Sequence, residues 1–463
     1  MTKAERFFSD IKNSRVAFIG TGVSHRELIS VFLSKGINVV VCDKKDKESF
    51  DKKIYDEFAL KGAEFSLGEN YLDEIFNCDI VFRTPGMYYN NEILTRARKQ
   101  GIVVTSEMEV FFDLCPCPII AVTGSDGKTT STTLISEMLK AEGKTVHLGG
   151  NIGKALLPIV ENINETDVAV VELSSFQLIS MRKSPDVAVI TNISPNHLDV
   201  HGTMEEYIDS KCNLIRHQNA FSRTVLNFDN ENTMKLADLV RGKLVNFSLT
   251  RQVETGSFLR EDGMLCYREK GVTTEVVHKD NIRIPGIHNV DNYLTAIAAV
   301  WGKASVESIV RVAENFGGVE HRIEFVRELD GVRWYNDSIA TSPTRVIAGL
   351  NSFDKKIIII AGGYDKKIPF EPLAKPINER VKTLILMGAT ADKIEKAVTE
   401  CEYYPASGLK IVHASSMEDA VKTAKELAQS GDIVSLSPAC ASFDMYPMFE
   451  VRGNHFKQLV NEL

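Results

Sequence analysis

The strongest constraint on the fold is an alternation that repeats along the whole chain. Short runs of β-branched residues alternate with longer amphipathic stretches, which is typical of parallel α/β sheets with crossover helices. The runs fall into three blocks: Val16–Ile19, Val39–Val41, Ile80–Phe82 and Ile102–Val104; then Ile119–Thr123, Val168–Glu172 and Val187–Thr191; then Ile357–Ala361, Leu384–Met387, Ile411–His413 and Ile433–Leu436. We therefore predict an α/β fold in which each block closes its own sheet.

The length of the chain agrees with three blocks. At roughly 150 residues per domain, 463 residues make about three domains. One boundary is predicted near Cys115–Pro118, although the helix-like segment before it could belong to either side, and another near Gly317–Glu320. The segment between Phe221 and Ile284 is more strand-like and polar, and indicates a β-rich edge on the middle domain. The predicted domains are 1–108, 109–318 and 319–463.

Composition narrows the possible partners and compartment. Hydrophobic residues make up 44% of the chain and charged residues 25%, which is ordinary for a globular protein. A net charge of -8 argues against broad binding to nucleic acid, but leaves room for a local pocket for a phosphorylated ligand. We find no apolar run of about 20 residues, no signal peptide and no disulfide pattern among the eight cysteines. We expect a cytoplasmic monomer without membrane or nucleic-acid partners.

The strongest local signal is the segment 123–130, TGSDGKTT, between the apolar run Ile119–Thr123 and a helix predicted over Thr132–Ala141. Glycines let consecutive N–H groups face phosphate oxygens. Lys128 would neutralise the terminal phosphates, and the Thr129 hydroxyl would bind Mg²⁺. The first glycine of the usual phosphate-loop motif is replaced by Val122. A glycine-rich turn with a chance lysine is the alternative, but the position between strand and helix favours a phosphate loop.

Further polar residues follow the strands of the same block. Glu172 ends one strand, His197 lies in the loop after the next, and Tyr207 and Lys211 share one face of a predicted helix. Taken singly, Glu172 could cap a helix, His197 could hydrogen-bond within its loop, and Lys211 could be a surface lysine. Because ligands bind at the carboxyl ends of parallel strands, the group as a whole predicts a site for Mg²⁺ and ATP.

A family resemblance rests on motifs that span the chain. They are TGSDGKTT (123–130), GGNIG (149–153), ELSSFQL (172–178), ITNISPNHLD (190–199), YIDSK (207–211), HNVDN (288–292), HRIE (321–324), NDSIATS (336–342) and SPACASFD (437–444). In this order they resemble the Mur ligases of peptidoglycan synthesis. The C-terminal run SPACASFDMYPMFEVRGNHF, the IGTGVS turn and the Thr84-Pro85-Gly86 loop are similar to the branch that adds D-glutamate to UDP-N-acetylmuramoyl-L-alanine.

The resemblance implies three domains: an N-terminal Rossmann-like domain for the UDP substrate, a central ATPase of the P-loop type and a C-terminal Rossmann-like domain for the amino acid. It also implies the reaction. ATP phosphorylates the substrate carboxylate, the amine of D-glutamate attacks the acyl phosphate, and a tetrahedral intermediate collapses to amide and phosphate. The implied cofactors are ATP, Mg²⁺ and a CO₂-derived carbamate on Lys211.

The same resemblance assigns roles to individual residues. It implies a catalytic group made of Lys128, Glu172, His197 and Lys211. It implies metal binding by Thr129, Glu172, His197 and carbamylated Lys211. The implied ATP site contains Gly124, Ser125, Asp126, Gly127, Lys128, Thr129, Thr130, Asn289, Asn292, Arg322 and Asp337. The implied UDP-substrate site contains Gly22, Val23, Ser24, Asp43, Gly86 and Asn151. The implied D-glutamate pocket contains Thr341, Lys366, Ser442 and Phe449.

Two positions depart from the expected patterns. The turn from Gly20 resembles a dinucleotide fingerprint, but His25 stands at the third glycine, which favours UDP phosphate over NAD. Asp43, at the end of the next strand, is either a turn residue or a uracil or ribose contact. Ile339 stands where other members carry lysine, so another cation must substitute; Lys367, beside Lys366, is the candidate from sequence.

Other classes of function remain open at this stage. A diaminopimelate-adding ligase should carry an Asn-Pro-Arg type motif, which the last block lacks. A ligase that forms polyglutamate on folate should lack the N-terminal block. A catalytically silent nucleotide-binding protein and an NAD-dependent oxidoreductase are the remaining alternatives.

Overall fold

The computed structural model describes the backbone of residues 1–463 and every side chain except those of Val23, Leu198 and Asp199. The backbone forms three separate sheets, made mostly of parallel strands and flanked by helices. This confirms the α/β prediction. Among the described residues, no helix is both long and apolar enough to cross a membrane.

The first sheet has five parallel strands in the order β3-β2-β1-β4-β5. Its strands are β1 Arg15–Ile19, β2 Asn38–Asp43, β3 Glu64–Leu67, β4 Ile80–Phe82 and β5 Val103–Thr105. The accompanying α-helices are α1 Lys3–Asp10, α2 Val23–Ser34, α3 Lys52–Leu60, α4 Glu92–Lys99 and α5 Glu107–Leu114. A 3₁₀ helix covers Asp73–Asn77. The strand order places β1 at the centre, so the turn after it opens at the carboxyl edge where ligands bind in such sheets.

The second sheet has nine strands in the order β14-β13-β12-β11-β10-β9-β6-β8-β7. Its strands are β6 Ile119–Thr123, β7 Val146–Gly150, β8 Val168–Glu172, β9 Val187–Ile190, β10 Arg223–Asn227, β11 Lys243–Ser248, β12 Gly256–Leu259, β13 Met264–Glu269 and β14 Val272–His278. The pairs β12–β13 and β13–β14 are antiparallel, whereas the other pairs are parallel. The predicted β-rich segment therefore forms one edge of this sheet.

The middle segment contains α6 and α9, the helices that carry the predicted site residues Lys128 and Lys211. The α-helices are α6 Lys128–Ala141, α7 Ser175–Leu178, α8 Leu198–His201, α9 Met204–Arg216, α10 Glu231–Met234, α11 Ile287–Val300 and α12 Val306–Asn315. The 3₁₀ helices are Leu157–Asn162, Ala237–Leu239 and Lys279–Asn281. The helix predicted from Thr132 begins earlier, at Lys128, because Gly127 adopts φ 75° and turns the chain directly into the helix.

The third sheet has six strands in the order β15-β16-β20-β17-β18-β19, of which only β15 is antiparallel to its neighbour. Its strands are β15 Glu324–Leu329, β16 Val332–Asn336, β17 Ile357–Ala361, β18 Val381–Leu386, β19 Lys410–His413 and β20 Ile433–Leu436. Its α-helices are α13 Pro343–Leu350, α14 Glu371–Arg380, α15 Ala391–Thr399, α16 Tyr404–Ser407, α17 Met417–Leu427 and α18 Phe449–Glu462. Buried β17, with the sequence IIIIA, forms the centre of its core.

The chain divides into two compact units. The first unit contains residues 1–279 and 291–312, and so includes the first two sheets; the second contains residues 280–290 and 313–463.

A buried carboxyl group joins two elements of the first unit. Glu107, the first residue of α5, is 5% exposed, and its Oε1 accepts hydrogen bonds from the N–H groups of Leu156 (2.9 Å) and Leu157 (2.8 Å). Burial raises the pKa of Glu107 from 4.5 to about 7. Between these values the native state holds a proton that the unfolded chain has lost, so the free energy of unfolding falls as pH rises through this window.

We expect Glu107→Gln to remove this pH dependence, because glutamine keeps the accepting oxygen but does not ionise. From pH 4.5 to 7 the unfolding free energy of the native sequence should fall by roughly 3 kcal/mol more than that of the variant, which urea denaturation at several pH values measures. Glu92→Gln, at an exposed carboxyl group in the first turn of α4, is the matched control. Parallel stability curves for the native sequence and Glu107→Gln would contradict the prediction.

Candidate functional site

The glycine-rich segment forms a tight loop between β6 and α6. Gly124 has φ 153° and Gly127 has φ 75°, conformations that side chains rarely allow. A Cβ atom on Gly124 would lie 1.9 Å from Thr191 Oγ1, and one on Gly127 would lie 2.6 Å from Asn292 Oδ1. Both positions therefore require glycine because of close packing as well as backbone conformation.

The segment after β9 holds this loop in place. The Ser125 N–H donates to the Asn192 carbonyl at 2.9 Å, and the Asp126 N–H donates to Asn192 Oδ1 at 2.9 Å. Thr191 Oγ1 in turn donates to the Asp126 carbonyl at 2.5 Å. The loop is therefore shaped by a neighbouring strand end of the same sheet.

Two lysine side chains converge on one carbonyl oxygen of the loop. Lys128 Nζ and Lys211 Nζ both lie 3.0 Å from the Gly124 carbonyl oxygen, and Lys128 also donates to the Ser125 carbonyl at 2.9 Å. Lys211 is 1% exposed, and its Nζ lies 4.6 Å from the centre of the Tyr207 ring, as expected for residues on one helix face. Burial, and secondarily the charge of Lys128, lower the pKa of Lys211 to about 7. Two cations this close favour an anion such as phosphate beside them.

A buried carboxylate lies on the adjoining strand. Glu172 ends β8, is 1% exposed, and its Oε1 accepts a hydrogen bond from Asn151 Nδ2 at 2.8 Å. Its other oxygen, Oε2, is inaccessible and has no hydrogen-bond partner among the described residues. An anionic oxygen without a partner is costly in such a position, and a hard divalent cation would compensate it. The donor set of Glu172 therefore fits Mg²⁺.

His197 lies in the segment after β9, where its ring contacts a cluster of aromatic side chains. It is exposed and adopts φ 54°, which is uncommon for a residue with a side chain. Its ring lies 5.2 Å from that of Phe176, which stacks at 5.2 Å on the buried ring of His201. His201 is in turn held by Ser175 Oγ at 2.9 Å. The ring of His197 therefore lies against the helix that directly follows Glu172.

Of the other predicted ATP residues, Thr129 and Thr130 follow Lys128 in the first turn of α6. Asn292, in α11, accepts a hydrogen bond from Ser131 Oγ at 3.2 Å and so lies against the same helix. Asn289 precedes it in α11 and donates to the Pro285 carbonyl at 2.6 Å.

At the first sheet, the predicted UDP-substrate residues surround the turn after β1. Gly22 is the N-cap of α2, so it and Ser24 lie at a helix N-terminus, whereas the side chain of Val23 lies outside the described residues. Asp43 Oδ2 accepts from Thr21 Oγ1 at 3.4 Å, which places this carboxylate at the same turn. Gly86 is exposed in the turn after β4.

His25 stands at the position of the third glycine of the dinucleotide fingerprint, and its side chain is buried under the turn after β1. It is 1% exposed, and its Nδ1 lies 3.1 Å from the carbonyl oxygens of both Ile19 and Gly20. The imidazole therefore fills the space beneath the turn. Burial lowers the pKa of His25 to about 4, which keeps the ring neutral there.

The second unit holds the remaining predicted residues, which are Arg322, Asp337, Thr341, Lys366, Ser442 and Phe449. Asp337 is 4% exposed, its Oδ1 accepts from the Ile323 N–H at 3.3 Å, and burial raises its pKa to about 7. Arg322 lies between two residues with positive φ, His321 (63°) and Ile323 (45°). The unusual backbone on both sides of Arg322 is typical of a functional turn.

Of the residues predicted for the amino-acid pocket, Thr341 lies at the turn after Asp337 and contacts Lys366. Lys366 Nζ donates to both the carbonyl oxygen and Oγ1 of Thr341, each at 3.1 Å. Ser442 is 2% exposed, and the Phe449 ring lies 5.9 Å from that of His321. Lys366 and Thr341 are therefore in contact.

Similarity to known proteins extends over the whole chain. Residues 122–300 match the Mur ligase middle domain, and residues 321–440 match the Mur ligase, glutamate ligase domain. A UDP-N-acetylmuramoylalanine–D-glutamate ligase of Acetivibrio thermocellus is 52% identical over 464 residues, covering 100% of this chain and 99% of the relative. The enzyme of the same name from Clostridium acetobutylicum is 48% identical, covering 99% and 98%.

The chain belongs to the Mur ligase family.

Solved structures show the same fold at much lower sequence identity. UDP-N-acetylmuramate–alanine ligase from Thermotoga maritima is 18% identical and has a TM-score of 0.59, with 97% of this chain and 100% of that chain covered. A pseudomurein peptide ligase type C from Methanothermus fervidus is also 18% identical and has a TM-score of 0.53, with the same coverage.

Two arginines that contact the motif segments of the second unit were given no role from the sequence, although Arg452 lies within the quoted C-terminal run. Arg452, in α18, is 1% exposed and donates to Ser338 Oγ (3.0 Å) and to the carbonyl oxygens of Ala441 (3.1 Å) and Cys440 (3.1 Å). It therefore joins the NDSIATS and SPACAS segments. Arg345, in α13, donates to the Ile339 carbonyl at 3.0 Å. Arg345 lies close in sequence to Ile339, whereas Arg452 is farther along the chain from the motif residues that it contacts. Both sets of contacts depend on the tertiary fold.

Proposed function

We propose that this chain is an ATP-dependent ligase that joins D-glutamate to UDP-N-acetylmuramoyl-L-alanine in peptidoglycan synthesis. Relatives of that name align with the chain from end to end at 46–52% identity. The observation that carries the proposal is the convergence of Lys128 and Lys211 on the phosphate loop. This loop follows β6, and the neighbouring strand β8 ends in the buried carboxylate of Glu172. This set of charges suits the transfer of a phosphoryl group to a carboxylate.

In the proposed reaction, a carboxylate oxygen of the UDP substrate attacks the γ-phosphorus of ATP, and ADP leaves. The amine of D-glutamate then attacks the acyl carbon and loses a proton. The tetrahedral intermediate breaks its C–O bond, which releases phosphate and leaves the amide. Because two anions must meet, most of the rate enhancement comes from positioning and charge neutralisation.

Each step uses named groups of the chain. The N–H groups of Gly124 and Gly127 and the Lys128 ammonium bind the phosphates, with Ser125, Asp126 and Thr130 completing the loop. Glu172, Thr129, His197 and a carbamate on Lys211 would hold Mg²⁺, and Asn151 would orient Glu172 while contacting the substrate. Bound Mg²⁺ supplies Lewis-acid stabilisation of the phosphoryl oxygens.

The carbamate follows from the state of Lys211. Its neutral amine attacks CO₂, forms an N–C bond as one C=O π bond breaks, and releases one proton, which converts a neutral amine into an anionic ligand; the protonated form must first lose a proton. The lowered pKa of Lys211 supports this reaction, because only the unprotonated amine is nucleophilic.

The remaining binding roles are assigned to residues of the three proposed domains. We propose domains 1–108, 109–318 and 319–463, with Rossmann-like outer domains. The first domain binds UDP through Gly22, Val23, Ser24, Asp43 and Gly86. Asn289, Asn292, Arg322 and Asp337 contact the nucleotide, and Thr341, Lys366, Ser442 and Phe449 bind D-glutamate. The protein acts as a cytoplasmic monomer.

The deciding test is phosphate release from Mg²⁺–ATP in the presence of UDP-N-acetylmuramoyl-L-alanine. D-glutamate, L-glutamate and other amino acids are added separately. Release that depends on D-glutamate is the expected result. Dependence on a different amino acid would keep the ligase and discard the proposed pocket, whereas no release under any condition would overturn the proposed function.

The two adjacent lysines after β17 allow a matched comparison within the pocket. Lys366 Nζ contacts Thr341, whereas the contact described for Lys367 is its backbone N–H to Asp365. We expect Lys366→Met to raise the KM for D-glutamate by about tenfold to a hundredfold, since a hydrogen bond to a charged group contributes ~1.5–3 kcal/mol. Lys367→Met should change this KM by less than about threefold. A larger effect at Lys367 would reverse the assignment.

A further inference from the structure

The turn at residues 339–341 holds two cationic side chains. The Ile339 carbonyl oxygen accepts hydrogen bonds from both the Thr341 N–H (2.8 Å) and Arg345 Nη1 (3.0 Å). Thr341 in turn accepts two hydrogen bonds from Lys366 Nζ. The guanidinium of Arg345 and the ammonium of Lys366 are therefore tied to the same three-residue turn.

Neither charge forms an ion pair with a carboxylate among the described side chains, and every hydrogen-bond partner described for the Arg345 and Lys366 side chains is a neutral carbonyl or hydroxyl group. The charge of Arg345 also acts on the buried carboxyl group of Asp337, but burial raises the pKa of that group to about 7, so it is only partly ionised at neutral pH. The two cations also repel each other. Burial is the main cause of the lowered pKa of Lys366, and the charge of Arg345 is the next. Like charges held together in this way are unfavourable until an anion binds between them.

The position of Arg345 in its helix gives independent support. α13 begins at Pro343, so Arg345 lies in its first turn, which contains no acidic residue. The N-terminus of a helix carries partial positive charge and favours anions over cations. A cation retained there is unfavourable for helix stability, and an anion bound beside it would be stabilised by the helix and by both side chains.

We infer that Arg345 is a specificity-determining residue whose guanidinium binds one carboxylate of D-glutamate while Lys366 binds the other. The inference rests on the proposed function and names the group that distinguishes a dicarboxylic substrate from its amides. Planar guanidinium groups match carboxylates with paired hydrogen bonds, which suits this role. Arg345, rather than Lys367, then provides the positive charge expected near Ile339.

The test compares three substrates with one variant. Phosphate release is measured with D-glutamate, with D-glutamine, which lacks the side-chain carboxylate, and with D-isoglutamine, which lacks the α-carboxylate. We expect Arg345→Met to lower kcat/KM for D-glutamate by about tenfold to a hundredfold. The preference for D-glutamate over one of the two amides should fall by the same factor, and that amide identifies the carboxylate bound by Arg345.

Two further variants separate substrate binding from a purely structural role. Ile339→Lys in the Arg345→Met background returns a cation to the same turn, and should recover the activity with D-glutamate to within about tenfold of the native level. Lys355→Met removes an exposed charge of the same unit whose Nζ bonds to the Gly431 carbonyl, and should leave the kinetics unchanged. The melting temperature of Arg345→Met should not fall below that of the native protein, because the removed charge is unfavourable at a helix N-terminus.

The outcomes distinguish this inference from the proposed function. If the native protein releases phosphate with D-glutamate but Arg345→Met affects all three substrates equally, or has no effect, the inference is overturned and the proposed function stands. If the native protein shows no D-glutamate-dependent release, both are overturned.

Discussion

Replacement of Lys128 by methionine should lower D-glutamate-dependent phosphate release by about a thousandfold, because removal of one well-placed donor to a charged transition state costs ~10²–10³ in rate. Lys128 Nζ lies at the loop carbonyls of Gly124 and Ser125, where it can reach bound phosphate. Initial rates at saturating substrate, combined with the binding constant of ATP, separate loss of catalysis from loss of affinity.

Lys144→Met is the matched control for this variant. Lys144 is exposed and follows the far end of the same helix, α6. Its replacement should leave both rate and affinity unchanged. Native-like turnover by Lys128→Met would remove the phosphate loop from the proposed mechanism.

Replacement of Lys211 by arginine should lower turnover by about a hundredfold to a thousandfold although the positive charge is kept. The guanidinium remains protonated and cannot form a carbamate. With ¹³C-labelled CO₂, the native protein should give a carbamate signal in the ¹³C NMR spectrum, and the Lys211→Arg variant should lack it.

The exposed residue Lys235 supplies the control, since Lys235→Arg keeps every buried group in place. It should retain both the carbamate signal and native turnover. Full activity of Lys211→Arg would show that no carbamate is needed. A carbamate signal that survives in that variant would place the modification on a different amine.

The sequence predicted the elements whose local pattern is strong. Buried runs such as Ile357–Ala361 are apolar at every position, so their strand character follows from periodicity and length alone. The predicted start of α6, at Thr132, was wrong. The left-handed conformation of Gly127 begins the helix at Lys128 itself.

The site shows the same contrast between local and tertiary information. Tyr207 and Lys211 were expected on one helix face because their spacing matches one helical turn, and they are in contact there. The pairing of Asn151 with Glu172 depends instead on the register of β7 and β8, and the contact of Arg345 with Ile339 depends on how α13 leaves its turn. Such contacts have no periodic signature in one sequence.

The close packing of Thr191 and Asn192 against the phosphate loop has a consequence for nucleotide binding. Because these residues fix Ser125 and Asp126 by hydrogen bonds within the first unit, the loop acquires its shape when the chain folds. The conformational entropy of those residues is therefore lost during folding, and not when a nucleotide binds. Affinity for phosphate therefore depends on the stability of the β6–β9 strand pair as well as on the lysines, and damage to that pair would appear as weaker binding without any change in the residues that touch the ligand.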